Sequence, residues 1–134
     1  MIYITRVERF SASHMLVNPN ISEERNKEIF DKCHDMHGHN YKLEVTVSGK
    51  PVPESGYVMD FKELKDIIKN EIIEKIDHQH LNDVEMFKHL ILTAEFMVKK
   101  FWEILENKIN RDNVRLHSVK LYETENNYVL YKGE

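Results

Sequence analysis

The nine residues Cys33–Tyr41, CHDMHGHNY, contain three of the chain's eight histidines and its only cysteine. One glycine separates His37 from His39, and residues two apart on a strand point to the same face of a sheet. Two imidazoles on one face can hold a metal ion, and His14 is the best third ligand if its strand lies alongside. Three neutral nitrogens suit zinc and leave a fourth position for water or substrate. His-x-His alone is equally compatible with half-exposed strand residues that bond to backbone groups.

Cys33 determines which kind of zinc site is expected. As a fourth ligand beside the three histidines, it would close the site and make it structural. Close to the metal without binding it, its thiolate would be available as a base. The Cys-x-x-x-His-x-His spacing allows both, and a buried inert thiol is a third option.

Two further groups could take part in chemistry. Asp77 and His78 are adjacent in the polar stretch IDHQHLND, where a carboxylate can orient an imidazole for proton transfer. The same dipeptide is common in loops without any catalytic role. Glu123 ends a predicted strand; if buried, it needs donors, and a heterocycle with an amino group and a ring N–H offers two. We assign no role to the remaining histidines, which are His34, His80, His89 and His117.

The elements that must position these residues follow from hydrophobic periodicity. They are a strand at 2–13, a short helix or irregular segment at 21–31, a strand at 39–49, a turn at 50–56, a helix capped by Asp60 and running to Ile76, a helix from Thr93 to Ile109, and strands at 114–123 and 127–132. The order ββααββ predicts an α+β fold with a four-stranded antiparallel sheet and two helices on one face. The uncovered edges of such a thin sheet favour oligomerisation by edge pairing.

Composition limits the classes of function. A chain of 134 residues with 41% hydrophobic residues fits a single domain spanning 1–134. Its net charge of −4 disfavours nucleic acid and anionic membranes as partners. A single cysteine cannot form an internal disulfide and fits a reducing compartment. The N-terminal residues MIYITRVERF do not form the apolar core of a signal peptide, so we expect a cytoplasmic protein.

Six segments in register carry a resemblance that covers essentially the whole chain. They are FSASH at 10–14, Cys33 with HGHNY at 37–41, GYVMDF at 56–61, IDHQHLN at 76–82, TAE at 93–95 and YETENNYVLYKGE at 122–134. Together they resemble the 6-pyruvoyltetrahydropterin synthase and 6-carboxytetrahydropterin synthase family.

The resemblance implies a tunnelling fold, in which three subunits close a β-barrel and two trimers stack as a homohexamer. It implies zinc as the cofactor, with Cys33 as the residue that abstracts a proton. It also implies that Asp77 and His78 complete the proton relay from an adjacent subunit. The zinc ligands implied are His14, His37 and His39, and the residues implied at the pterin ring are Glu123, Thr93 and Glu95.

The implied activity is a lyase reaction on 7,8-dihydroneopterin triphosphate, a small-molecule partner. Only three residues separate Cys33 from His37, as in the queuosine branch of the family, which favours 6-carboxy-5,6,7,8-tetrahydropterin as the product. The segments SEERNKEIFDKC and YETENNYVLYKGE resemble the tetrahydrobiopterin branch, so 6-pyruvoyltetrahydropterin is the alternative product. We expect the carboxy product.

Two other interpretations of the chain assign it a function other than this lyase reaction. In the first, Cys33 and the three histidines form a closed structural zinc site in a non-enzymatic assembly module. In the second, the chain binds a pterin but performs aldolase or epimerase chemistry on dephosphorylated dihydroneopterin.

Overall fold

Two long strands form the body of the sheet in this computed structural model, which describes residues 1–134. They are β1 (Ile2–His14) and β2 (His37–Gly49), which pair antiparallel along their whole length. β3 (Val114–Tyr122) and β4 (Tyr128–Tyr131) follow in the order β1-β2-β3-β4, again antiparallel. The predicted four-stranded antiparallel sheet is confirmed, with a shorter last strand than expected.

The alternation in β2 decides which face of the sheet meets the helices. Tyr41, Leu43, Val45 and Val47 are all buried, and the residues between them are not. The helix α4 (Ala94–Ile109) packs on β3 and β4 and buries an apolar stripe. The predicted period of two and the predicted helix are therefore both confirmed, and the core lies between this face and the helices.

The helix that begins after Asp60 differs from a regular α-helix. Asp60 caps α2 (Phe61–Ile68), and a π-helical turn over Lys69–Ile73 then leads into α3 (Glu74–Ile76). Buried apolar residues recur at every fourth position, at Leu64, Ile68, Ile72 and Ile76. In a helix of 3.6 residues per turn such a stripe rotates away from the core. The wider π turn offsets that rotation and keeps the four side chains on one face.

A further helix lies between β1 and β2, in the segment that the sequence leaves open as helix or irregular. This is α1 (Glu23–Phe30), capped by the Ser22 hydroxyl, which accepts the Arg25 N–H at 3.1 Å. A 3-10 turn over Asp31–His34 leads from α1 towards β2. The element order therefore includes one short helix more than the predicted ββααββ.

The polar stretch after α3 runs along the outer edge of β1. The His78 N–H donates to the Ser11 carbonyl at 2.7 Å, and the Ser13 N–H donates to the Gln79 carbonyl at 3.1 Å. This segment covers the edge at the end of β1 that carries His14. None of the helices has the length and apolar character needed to cross a membrane.

Candidate metal centre and adjoining cleft

The register of β1 and β2 brings three histidines together. His14 pairs directly with His37, and Ala12 pairs with His39, so the three side chains meet on the core face of the sheet. One ligand atom from each lies within 4.8 Å of the other two. Sequence analysis predicts that neighbouring strands place His14 beside the His-x-His pair, and the structure confirms it.

Backbone carbonyls fix the protonation of two of these rings. Nδ1 of His14 lies 2.9 Å from the Leu92 oxygen, and Nδ1 of His37 lies 2.8 Å from the Asp35 oxygen. A carbonyl only accepts, so each Nδ1 carries the proton and each Nε2 keeps its lone pair. Nε2 of His14 and Nε2 of His39 are buried without any hydrogen-bond partner. Convergent, unpartnered nitrogen acceptors are the donor set that a metal ion requires, so these residues could hold one.

The electrostatics of the cluster favour neutral imidazoles. Burial, followed by the neighbouring His37, lowers the pKa of His14 to about 4, although the Leu92 carbonyl acts in the opposite direction. Burial also lowers the pKa of His39, although Glu123 opposes that shift. His14 and His39 are therefore uncharged near neutral pH, which is the form that binds metal.

A cleft of about 220 Å³ adjoins the histidines. Oε1 of Glu123 lies 3.9 Å from Nε2 of His39, so this carboxylate reaches the histidine cluster while lining the cleft. Thr93 and Glu95, at the start of α4, line the same cleft. The Thr93 hydroxyl caps α4 by accepting the Phe96 N–H at 3.4 Å. The structure thus brings together the three residues predicted around a ligand ring.

Cys33 lies beside this cleft but outside the histidine cluster. It is in the 3-10 turn Asp31–His34, and its free thiol is exposed. Its carbonyl accepts the Leu16 N–H at 2.9 Å, and Leu16 is itself part of the cleft wall. The group of three close ligand atoms does not include the Cys33 sulfur. This placement argues against a closed site with four ligands.

Asp77 and His78 lie at the edge of β1. Oδ1 of Asp77 accepts the Ser11 N–H at 3.0 Å and lies 3.1 Å from Nδ1 of His78. The His78 side chain is 81% exposed, and its backbone has a positive φ of 60°. Both residues line a wide concavity of about 650 Å³ together with Arg9 and other polar residues. The structure forms the predicted acid–imidazole pair but places it on a surface other than the cleft.

Sequence analysis misses several parts of the site. The carbonyls of Leu92 and Asp35 orient two of the histidines, yet any residue type supplies a carbonyl. Tyr41 is buried with an unpartnered hydroxyl, and its ring centroid lies 5.5 Å from that of His39. The alternation of His37, His39 and Tyr41 along β2 could have placed this tyrosine beside the cluster.

Known structures share this architecture. The structure of 6-pyruvoyl tetrahydropterin synthase from Caenorhabditis elegans aligns with a TM-score of 0.90 and 35% identity. The alignment covers 99% of this chain and 96% of that one. The expected tunnelling-fold subunit is therefore confirmed.

Sequence comparison leads to the same group of proteins. The chain is 41% identical over 134 residues to 6-pyruvoyl tetrahydrobiopterin synthase of Dictyostelium discoideum, covering 99% of this chain and 97% of that protein. It is 30% identical to 6-carboxy-5,6,7,8-tetrahydropterin synthase of Aquifex aeolicus, with 98% of each chain covered. A family model described as 6-pyruvoyl tetrahydropterin synthase matches residues 3–134. This chain therefore belongs to the 6-pyruvoyl tetrahydropterin synthase family.

Proposed function

We propose that this protein is a zinc-dependent lyase that converts 7,8-dihydroneopterin triphosphate to 6-pyruvoyltetrahydropterin. The observation that carries the proposal is the position of Glu123, which lines the cleft and lies 3.9 Å from His39 in the histidine cluster. A ring bound at this carboxylate therefore lies beside the proposed metal ligands. The 41% identity to a protein named 6-pyruvoyl tetrahydrobiopterin synthase supports this product.

Zinc is the metal that the ligand set favours. His14, His37 and His39 offer three neutral nitrogens, and three protein ligands are typical of catalytic rather than structural zinc sites. Zinc bound there would supply Lewis-acid stabilisation of negative charge that develops on the substrate. The orienting carbonyls of Leu92 and Asp35 hold two of the rings in position to bind it.

Glu123 provides recognition of the pterin ring. An ionised carboxylate has two acceptor oxygens, which match the amino group and the ring N–H of a pterin. Thr93 and Glu95 line the same cleft and complete its polar wall. Charge-assisted hydrogen bonds are stronger than neutral ones, and Glu123 is the cleft carboxylate that lies 3.9 Å from His39, so we take it as the main anchor of the ring.

Cys33, Asp77 and His78 move protons in the proposed reaction. The Cys33 thiolate removes a proton from the side-chain carbon next to the ring, the bonding electrons shift into the ring, and the ring takes up a proton in turn. The side chain is oxidised as the ring is reduced, so the reaction needs no nicotinamide. Loss of a second side-chain proton then expels triphosphate, which leaves with its bonding electrons. The His78 ring, 81% exposed and paired with Asp77, serves the active site of an adjacent subunit.

The subunit interface in the proposal is a trimeric β-barrel, with two trimers stacked as a homohexamer. Both outer strands carry exposed apolar side chains, which are Ile2 and Tyr3 on β1 and Tyr128 and Leu130 on β4. Joining these edges between subunits would cover both strands. The free, exposed thiol of Cys33 fits a reducing compartment such as the cytoplasm.

A second candidate product is 6-carboxytetrahydropterin, which sequence analysis favours from the short Cys33–His37 spacer. Over nearly the whole chain, a protein named 6-carboxy-5,6,7,8-tetrahydropterin synthase is 30% identical, against 41% for one named as a pyruvoyl enzyme. Similarity along the whole chain outweighs one spacer, so we place the carboxy product second.

Product analysis tests the proposal. Zinc-loaded protein is incubated with 7,8-dihydroneopterin triphosphate and the products are identified by mass spectrometry, with dephosphorylated dihydroneopterin and a His39→Ala variant as controls. We expect 6-pyruvoyltetrahydropterin and free triphosphate only with the triphosphate substrate and the intact ligand set. A 6-carboxytetrahydropterin product selects the second candidate. Turnover of the dephosphorylated compound indicates aldolase or epimerase chemistry, and no turnover of either contradicts the proposal.

A further inference from the structure

His34 is the only buried side chain in the connection from α1 to β2. Residues 31–36 comprise Asp31, Lys32, Cys33, His34, Asp35 and Met36, and the other five are exposed. The position of this segment therefore depends on the His34 side chain and on a few backbone hydrogen bonds.

The His34 ring bridges two separate parts of the chain. Nδ1 lies 3.2 Å from the Leu16 carbonyl oxygen, and Nε2 lies 2.7 Å from Oε1 of Glu23 in the first turn of α1. Both partners are acceptors, so both ring nitrogens donate and the ring is an imidazolium. Glu23, the Leu16 carbonyl and the adjacent Asp35 raise the pKa of His34. The ring thus joins α1 to the segment that follows β1.

The two neighbours of His34 both contact the functional site. The Cys33 carbonyl accepts the Leu16 N–H at 2.9 Å, so Cys33 and His34 together engage both backbone groups of Leu16. The Asp35 carbonyl accepts the Nδ1–H of His37, one of the metal ligands. A shift of the His34 ring would therefore move the Cys33 thiol relative to the cleft wall at Leu16.

We propose that His34, held by Glu23, is a positioning residue that fixes the Cys33 turn against Leu16 and so places the Cys33 thiol for proton abstraction. The inference rests on the proposed function of Cys33 as the base. It assigns His34 and Glu23 to the pterin synthase reaction although neither touches the histidine cluster or lines the cleft. It also explains why a charged imidazole is buried in an otherwise exposed segment.

Steady-state kinetics of His34→Ala, Glu23→Ala and the double variant test the inference. Glu24→Ala is the matched control, because Glu24 lies in the same first turn of α1, is exposed and forms no ion pair. We expect kcat to fall by about 10- to 100-fold in both single variants, the range that a displacement of about 1 Å produces. The kinetics are measured on zinc-saturated protein, so that any shift of the Asp35 carbonyl at His37 does not lower the zinc content, and KM is expected to remain unchanged. The double variant is expected to be no slower than His34→Ala, because the two residues act as one unit.

Two further measurements separate positioning from stability alone. Glu23→Gln keeps an acceptor for the His34 ring, so its kcat is expected to lie between those of Glu23→Ala and the wild type. If His34 and Glu23 contribute only to stability, kcat of every folded variant equals the wild-type value. Amide hydrogen exchange at Leu16 and across residues 31–36 is expected to accelerate in His34→Ala and Glu23→Ala but not in Glu24→Ala.

Wild-type kcat in folded His34→Ala overturns the inference while leaving the proposed function intact. Absence of turnover in the wild-type protein overturns the proposed function. The exchange measurement then tests only whether His34 and Glu23 hold residues 31–36 against Leu16. Whether or not the wild-type protein turns over substrate, unchanged exchange in His34→Ala contradicts the proposal that His34 holds this segment.

Discussion

Nε2 of His39 lies 3.9 Å from Oε1 of Glu123, so the histidine cluster and the cleft meet at one carboxylate. His39 is on β2 and Glu123 directly follows β3, and the pairing of these strands sets the distance between them. A molecule bound at Glu123 therefore lies next to the histidines. This relationship joins the histidine cluster and the cleft into one candidate site.

Replacing Glu123 tests that relationship. Two hydrogen bonds to a charged group contribute about 1.5–3 kcal/mol each, so Glu123→Ala is expected to lower kcat/KM by about 100-fold or more. Glu123→Gln keeps one acceptor oxygen, so its kcat/KM is expected to lie between those of Glu123→Ala and the wild type. Steady-state kinetics combined with zinc analysis would show the loss at unchanged metal content. Glu54→Gln, an exposed carboxylate in the turn at 50–56, is the control, and an equal loss there would contradict a specific role for Glu123.

The three histidines are expected to be individually necessary for metal binding. Removing an outer hydrogen-bond partner of a metal ligand weakens binding by roughly 10–100-fold, and removing a ligand by substituting His14, His37 or His39 with Ala should weaken it more. Zinc titration and elemental analysis measure the effect, and a chelator should abolish activity until zinc is restored. His89→Asn is the control, since His89 is exposed and its positive φ of 67° suits asparagine. Full zinc occupancy in a ligand variant would contradict the assignment.

Stability of the metal-free protein is expected to depend on pH through His14. Its folded-state pKa of about 4 lies below the ordinary value of 6.5, so the unfolded chain binds the proton more tightly between these values. The contribution of His14 is therefore fully present above pH 6.5 and is lost as the pH falls towards 4. Since one pKa unit corresponds to 1.36 kcal/mol, the loss is about 3 kcal/mol.

Urea unfolding of metal-free protein at pH 7.5 and pH 4.5 measures this change. A His14→Gln variant, which cannot titrate at this position, is expected to show a correspondingly smaller difference between the two conditions. Equal pH dependence of the variant and the wild type would contradict the assignment to His14.

The parts of the fold and site that the sequence predicts are those set by periodicity. Alternation along β1 and β2 is enough to place His14, His37 and His39 on one face, because a strand repeats every two residues. The stripe along α4 predicts that helix for the same reason. Glu123 can be located because it ends a strand of clear alternation.

The missed parts depend on contacts between distant segments. His34 is bound by Leu16 and Glu23, which are 18 and 11 residues away, and a backbone carbonyl supplies one of these contacts. The π turn at Lys69–Ile73 follows from how the whole helix packs, not from any one residue type. Such features become visible only when the segments are in place.

Substitution of Cys33 separates a catalytic role from a structural one. Cys33 is exposed and outside the histidine cluster, so Cys33→Ala should keep the zinc content, the fold and the oligomeric state of the wild type. Loss of a general base lowers the rate by about 100- to 10,000-fold, which is the expected effect on kcat. Elemental analysis, size-exclusion chromatography and kinetics on one preparation give the three readouts. Loss of zinc from Cys33→Ala would instead indicate a structural site with four ligands.

The buried hydroxyl of Tyr41 is expected to destabilise the metal-free protein. The residue is 1% exposed, its ring stacks on Phe10 with centroids 4.6 Å apart, and its hydroxyl has no partner. Because a buried unpartnered polar group costs about 1–3 kcal/mol, Tyr41→Phe should raise the free energy of unfolding by about 1 kcal/mol. Urea unfolding measures the change, with the exposed Tyr57→Phe as the control, expected within about 0.5 kcal/mol of wild type. A destabilised Tyr41→Phe would show that the hydroxyl has a partner in solution, such as an ordered water.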